Sequence, residues 1–376
     1  MIREISVKGY KCFKDVTLTV PGLVVLTGVN GVGKSAFIQT LLLAWESGKI
    51  GAGGKIVPLN GQIFELGCAG EVVPHYSNFP HIIDISWRFS EAPEIFRRQL
   101  EANRYEDRFL NIVPDENGDK IQNNVAWSGL GGFTFLAAER SGPLRFSNRQ
   151  SMNKESLSFG SKGEFCADII SSYDSTTIPN KEIILEYVDG LRYPSTYSKQ
   201  IEAWMHELGF SIQIRSESTS VTDIAALKFF DERSPDSEWI SPVHTGFGIS
   251  YSLPIIAAGL IARRGGALIV ESPEAHLHPA AQSKMGRFLA RLASTGVQVF
   301  METHSDHVLN GIRLAAIKEE IEKKDILFVA FDKGEDGTMQ KQEIHVKEDN
   351  SLSSWPEGFF DQMQSDLGEI ASHRVF

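Results

Sequence analysis

Eight residues, "GVNGVGKS" from Gly28 to Ser35, place three glycines, a lysine and a hydroxyl in the spacing G-x-x-x-x-G-K-[ST]. Glycines let backbone N–H groups turn inward on an anion. A helix starting at Lys34 would aim the positive end of its dipole at the same point. In this chemistry Lys34 reaches the β and γ phosphates of a nucleotide and the Ser35 hydroxyl ligates Mg²⁺. Asn30, Gly31, Val32, Gly33 and Ala36 would complete the phosphate cradle.

A second constellation is "ALIVESPEAHLHP", residues 267–279. An apolar strand ending in Glu271 puts a carboxylate where ligands collect in parallel sheets, in position to hold Mg²⁺. The next residue, Ser272, does not ionise near neutral pH and is no general base, a role worth roughly 10²–10⁴ in rate. Glu274, carried past Pro273, is the expected water-polarising group, with Glu271 performing both tasks as the alternative. In "METHSDH", His304 at another strand end would sense the γ-phosphate. His276 and His278 lack the partner set of a transition-metal site. "TGFGISYSL" opens an apolar helix with a glycine turn. There Gly246, Gly248 and Ser250 would offer a second anion site, for the nucleotide of another subunit.

These groups need a scaffold. "LVVLTGV" before the loop is continuously apolar, as a strand buried on both faces must be. From about residue 246 helices alternate with the strands "ALIVE", "VQVFMETH" and "DILFVAF", and one long helix is expected over "DHVLNGIRLAAIKEEIEKK". Short βα units of this kind predict a parallel sheet between helical layers. Residues 1–50 and 246–376 would form a split α/β core. Residues 51–245 would form an inserted subdomain with strands such as "HIIDISWRF" and "GFTFLAAE" and a helix at "YSKQIEAWMHEL".

A net charge of −11 argues against coating nucleic acid by charge alone. Residues 130–162 nonetheless carry Arg140, Arg145, Arg149, Lys154 and Lys162 against Glu139 and Glu155, a modest local case for DNA. The three cysteines form no C-x-x-C pair, which fits a reducing compartment. The N-terminus lacks a signal-peptide core, and the run "LPIIAAGLIA" falls short of the ~20 residues of a membrane span. A cytoplasmic protein is expected.

In order, GVNGVGKS, GFGIS, ALIVESPEAHLHP and ETHSDH resemble the ABC-type ATPase superfamily, in the branch holding SMC, RecF and OLD-like proteins. The ending "SSWPEGFFDQMQSDL" resembles a bacterial ATPase group with a W-P-x-G-F-F-D-Q tail, and "FLAAERSGP" is similar to a string in relatives. The resemblance implies a P-loop NTPase head that binds and hydrolyses ATP with Mg²⁺. It also implies a homodimer in which Lys34, Ser35, Glu271 and His304 of one copy face Gly246–Ser250 of the other. Gln62 would match the glutamine bridging Mg²⁺ and the attacking water, and residues 276–279 would lie near the dimer seam. Relatives act in DNA repair or anti-phage defence, often beside a nuclease. About 50 residues after the last sheet strand are too few for a Toprim nuclease domain, so any effector would be a separate protein. Because Ser272 replaces the superfamily's catalytic glutamate, a slow or non-hydrolysing nucleotide-gated switch acting on a partner is the alternative. A transporter motor fits less well, since the middle region does not resemble a transporter's helical subdomain.

Overall fold

The computed structural model describes residues 1–29, 31–50, 54–90, 95–114, 131–219, 223–234, 236, 238–334, 339–354 and 362–372. Asn30 and the string Trp355–Asp361 therefore lie outside the described residues.

Six strands form the sheet that positions the phosphate loop. Their order is Met339–Ile344, Ile326–Lys333, Leu23–Thr27, Gln298–Glu302, Ala267–Glu271, Phe133–Leu136. All pair in parallel except the Met339–Ile344 edge, which is antiparallel. Alternate residues of these strands feed two separate cores, as the period of two requires. Leu23, Val25, Leu268, Val270, Val299 and Met301 pack on one face with the helices Phe247–Ile261, Pro279–Ser294 and Asp306–Ile317. Val24, Leu26, Ile269 and Phe300 pack on the other face with the helix Lys34–Lys49. The Leu23–Thr27 strand is buried throughout, which accounts for its unbroken apolar run.

A second, antiparallel sheet covers the latter face. Its order is Phe13–Thr19, Ile2–Tyr10, His81–Phe89, Ile95–Ala102, Phe109–Ile112, Ile56–Pro58. The strands Ile212–Thr219 and Ile224–Asp231 form an antiparallel pair extended by Ser147–Asn148. Residues 51–245 thus do not pair only among themselves. Four of their strands extend a sheet begun by residues 2–19, and Phe133–Leu136 pairs with Ala267–Glu271 inside the parallel sheet.

The expected long helix after His304 ends at Ile317. Glu319 takes a left-handed φ of 58°, and its N–H and that of Glu320 close back onto the Ala316 and Ala315 carbonyls. Such backward bonds satisfy the last carbonyls and stop a helix. They also swing Ile321 into the core, where it is buried. No helix among the described residues is long and apolar enough to cross a membrane.

Candidate functional site

The loop turns as its glycines require. Gly28, Gly31 and Gly33 have φ of 124°, 77° and 107°, a region costly for side-chain-bearing residues. A Cβ on Gly28 would stand 2.6 Å from the Phe331 carbonyl, and one on Gly33 would stand 2.8 Å from Cys12 Sγ. A Cβ on Gly31 would meet nothing within 4 Å, so the loop is open there. Val32 and Ala36 are buried and anchor the loop to the core beneath it.

Lys34 is 3% exposed and folds back over the loop, donating to the Gly28 and Val29 carbonyls at 3.0 and 2.7 Å. Burial pushes its pKa down, and Glu302, with Oε1 3.9 Å from Nζ, partly offsets this. The Ser35 hydroxyl donates to Glu302 Oε2 at 2.9 Å. A cation gathered over the loop, backbone turned by three left-handed glycines, and a hydroxyl beside a carboxylate together suit a magnesium nucleotide.

Glu271 and Glu302 end adjacent strands and are paired in register. Both share the parity of Ile269 and Phe300, so both emerge on the face carrying the Lys34–Lys49 helix. Glu271 Oε2 accepts from the Ala138 N–H at 3.1 Å. Its pKa is pushed up to about 6, chiefly by burial and further by the Glu302 charge. The Ala138 hydrogen bond and Arg140 pull it the other way. Glu302, not singled out from the sequence, is therefore the carboxylate in contact with the loop.

Glu274 does something more specific than face the loop. Its Oε2 accepts from the Thr303 hydroxyl at 2.8 Å, and its Oε1 accepts from the His304 N–H at 2.9 Å. The carboxylate thereby fixes the backbone that carries His304, whose Nε2 lies 3.9 Å from Glu302 Oε1. Each Glu274 oxygen retains a lone pair for a further donor. Ser305 caps the following helix, accepting from the Val308 N–H at 3.1 Å.

Arg140 is the second group that sequence reasoning misplaced. It is 2% exposed, so it adds no exposed charge to that basic segment. Nη1 donates to the Ala137 and Glu271 carbonyls at 3.0 and 2.7 Å, and Nη2 donates to the Ser272 carbonyl at 2.6 Å. The guanidinium also sits 5.3 Å from the Tyr251 ring centroid. Burial lowers its pKa to about 10, against the opposing pull of Glu274, Tyr251 and Glu271, so it stays charged at neutral pH. It clamps the turn where Ser272 takes a left-handed φ of 45°. The rest of the proposed basic segment is largely engaged too. Arg149 pairs with Asp168 at 3.2 Å, Lys162 with Glu139 at 3.0 Å, and Lys154 lies over the Tyr173 ring.

The second glycine turn opens the helix Phe247–Ile261, which packs on the opposite face of the parallel sheet from the helix Lys34–Lys49. Gly246 caps the Phe247–Ile261 helix with open space around it. Gly248 packs so closely that a Cβ would stand 2.8 Å from the His276 carbonyl. Together they border a cavity of about 560 Å³ that also touches His276, His278 and Lys284. The Ser250 hydroxyl is buried with no partner among the described residues, facing a small cavity with Leu253 and Pro254. Gln62 is exposed. Its carbonyl accepts from Ser161 Oγ at 3.4 Å, and Ser161 in turn accepts from the Ala137 N–H, next to the residue bonded to Glu271. Gln62 thus lies along the same edge without a side-chain contact to the acids. No group of three or more His, Cys, Asp or Glu side chains able to hold a metal occurs among the described residues. Mg²⁺ does not need one, since it keeps waters and takes one or two carboxylates plus phosphates.

The sheet order and the loop define a mixed α/β fold of the P-loop kind, and solved structures share it. The SMC head bound to the C-winged helix domain of ScpA aligns with 93% of this chain and 98% of its own, at TM-score 0.56 and 12% identity. An SMC head with an extended coiled coil, bound to the C-terminal domain of ScpA derived from Pyrococcus furiosus, aligns with 98% of this chain and 99% of its own, at TM-score 0.51 and 12% identity. Residues 147–309 match an AAA ATPase domain family, a stretch that holds Gly246, Glu271, Glu274, Glu302 and His304 but not the loop. Residues 321–370 match a family described as a protein of unknown function, DUF3696. No curated protein matches the chain in sequence. The chain thus shares the fold of these SMC heads, and part of it matches the AAA ATPase domain family.

Proposed function

We propose that this chain binds and slowly hydrolyses ATP with Mg²⁺, and that two copies close their heads around the nucleotide. The observation that carries this reading is the convergence of Lys34, Ser35, Glu302 and Glu271 at the C-terminal ends of neighbouring parallel strands. Bound there, the triphosphate would replace the Gly28 and Val29 carbonyls as partner of Lys34. Mg²⁺ would neutralise phosphate charge as the γ-phosphoryl leaves, and Ser35 with the strand-end acids would hold it. Such transfer relies mostly on positioning and electrostatics. Water activation falls to Glu274 or Glu271, because Ser272 offers no base. His304, fixed through its backbone by Glu274, would answer the γ-phosphate.

Dimer closure is supported by the packing of the helices that the two glycine turns open, which lie on opposite faces of the parallel sheet. Gly246 is open and Phe247 is 52% exposed at the helix start. A partner's phosphates would meet the Gly246 turn. The role in DNA repair or defence beside a separate effector rests on motif resemblance alone, because most of the basic segment is paired or buried.

One specific observation favours a second reading, a switch that holds ATP and signals to a partner. Arg140 and the left-handed Ser272 lock the turn at which the superfamily carries its second acid. Single-turnover phosphate release combined with light scattering tests both. ATP-dependent doubling of mass with phosphate release, both lost in Lys34→Met, supports the first reading. Doubling without release supports the switch. A wild type that neither binds ATP nor changes mass refutes both.

A further inference from the structure

The carboxylate nearest the phosphate loop is not the one at the end of "ALIVE". Neighbouring strands lie ~4.8 Å apart. The Gln298–Glu302 strand pairs directly with the loop strand Leu23–Thr27, whereas Ala267–Glu271 is one strand further out. Glu302 is 9% exposed and meets three partners at the loop: Ser35 Oγ at 2.9 Å, Lys34 Nζ at 3.9 Å and His304 Nε2 at 3.9 Å. The carboxylate of Glu271 instead accepts from Ala138, on the opposite side.

The first of those distances has a geometric meaning. Two oxygens on adjacent corners of an octahedron, each at the 2.0–2.1 Å of a Mg²⁺ bond, are separated by √2 times that length, about 2.9 Å. Ser35 Oγ and Glu302 Oε2 already stand at that separation. A cation bound to both oxygens would break that hydrogen bond, the hydroxyl keeping its proton and turning it to another acceptor, without moving either oxygen.

We infer that Glu302 and Ser35 together ligate the divalent cation of the bound nucleotide, while Glu271, one strand outward, is left to orient the attacking water. This rests on the ATP-binding reading above and assigns its metal to a residue of a different strand. Ordinary motif reading passes over Glu302, because it looks for the metal-holding acid on the "ALIVE" strand. Its position beside His304 also links metal occupancy to the group facing the γ-phosphate.

The test is the magnesium dependence of nucleotide affinity in the full chain, read with a fluorescent, non-hydrolysable ATP analogue in Mg²⁺ and in EDTA. Free Mn²⁺ is followed in parallel by electron paramagnetic resonance, with Mn²⁺ replacing Mg²⁺. Wild type should bind the analogue at least tenfold more tightly with Mg²⁺ than in EDTA. Glu302→Gln keeps an oxygen for the Ser35 hydroxyl and should fold. It should bind in EDTA as well as wild type or better, yet lose most of the Mg²⁺ gain and leave Mn²⁺ free. Glu302→Asp, which keeps the charge on a shorter arm, should recover part of that gain. Glu271→Gln should keep the gain and lose phosphate release. The reverse pattern, with Mg²⁺ dependence intact in Glu302→Gln and lost in Glu271→Gln, overturns the assignment. Wild type that binds the analogue equally with and without Mg²⁺ also overturns it. Wild type that binds no analogue at all refutes the ATP-binding reading itself, and the assignment with it.

Discussion

Glu271 should make the folded protein less stable as the pH rises, and Glu271→Gln should reverse this. Burial and the neighbouring Glu302 raise its pKa from the ordinary 4.5 to about 6. The folded state therefore holds the proton more tightly than the unfolded chain does. Its contribution favours folding below pH 4.5 and is lost as the pH climbs through about 6. Proton linkage then puts the cost of the ionised carboxylate at about 2 kcal/mol at pH 8 and about 0.8 kcal/mol at pH 5. Glutamine cannot ionise, and its amide oxygen can still accept from the Ala138 N–H.

The variant should thus gain about 2 kcal/mol at pH 8 and less than half of that at pH 5. With an unfolding entropy of ~2.1 cal/mol/K per residue over 376 residues, this corresponds to a Tm rise of about 2–3 °C at pH 8 and about 1 °C at pH 5. The measurement is thermal unfolding by calorimetry in EDTA, so that no divalent ion offsets the charge. An equal gain at both pH values would mean that the variant acts through packing. A lower Tm at pH 8 would mean that the ionised carboxylate is stabilised where it stands. Either result refutes the reasoning. A residue that costs stability at working pH and is nevertheless a glutamate fits a group kept for chemistry.

Other perturbations separate the remaining roles. Arg140→Met should lower stability by about 3 kcal/mol or more, since it strands three carbonyls; chemical denaturation checks this, and Arg140→Lys should recover only part because an ammonium cannot reproduce the planar fork. Lys34→Met should weaken ATP binding by roughly 10–100-fold, the worth of one charge-assisted contact of about 1.5–3 kcal/mol. Removing its buried charge should leave Tm unchanged or raised, as nucleotide titration and calorimetry would show. Gly28→Ala should destabilise more than Gly31→Ala, because only the former drives a Cβ into the Phe331 carbonyl, although both pay about 1–2 kcal/mol for left-handed backbone; equal losses would contradict this. Ser272→Glu adds no new backbone strain at a position already left-handed. It should raise single-turnover phosphate release at least tenfold if the missing base limits the rate, and an unchanged rate would assign water activation to Glu271 or Glu274.

What the sequence made legible was whatever is encoded in neighbouring residues. The loop glycines carry their own backbone preference, and the strand Leu23–Thr27 announces burial on both faces by lacking polar residues. The helices Tyr197–Glu207, Phe247–Ile261 and Pro279–Ser294 follow from apolar spacing. The middle region was opaque for the opposite reason. Phe133–Leu136 is four residues whose partner lies more than 130 positions away, and nothing local says that it extends the parallel sheet and not a sheet of its own.

The site divides along the same line. Reading along the chain from Glu271 leads to Ser272 and then Glu274, and the missing acid looks like a defect to be repaired by the next carboxylate. Reading across the sheet leads from Glu271 to Glu302, its registered neighbour, on the strand that touches the phosphate loop. Arg140 shows the same blindness in reverse. A count of charges along 130–162 groups it with solvent-facing lysines, yet the fold buries it against the carbonyls of Glu271 and Ser272. Motif spacing identified the strands that carry the acids, and only the order of those strands decides which acid meets the loop. Exchanging Glu302 for glutamine while leaving Glu271, Ser272 and Glu274 untouched is therefore the sharpest test of whether sheet adjacency, and not chain adjacency, governs this site.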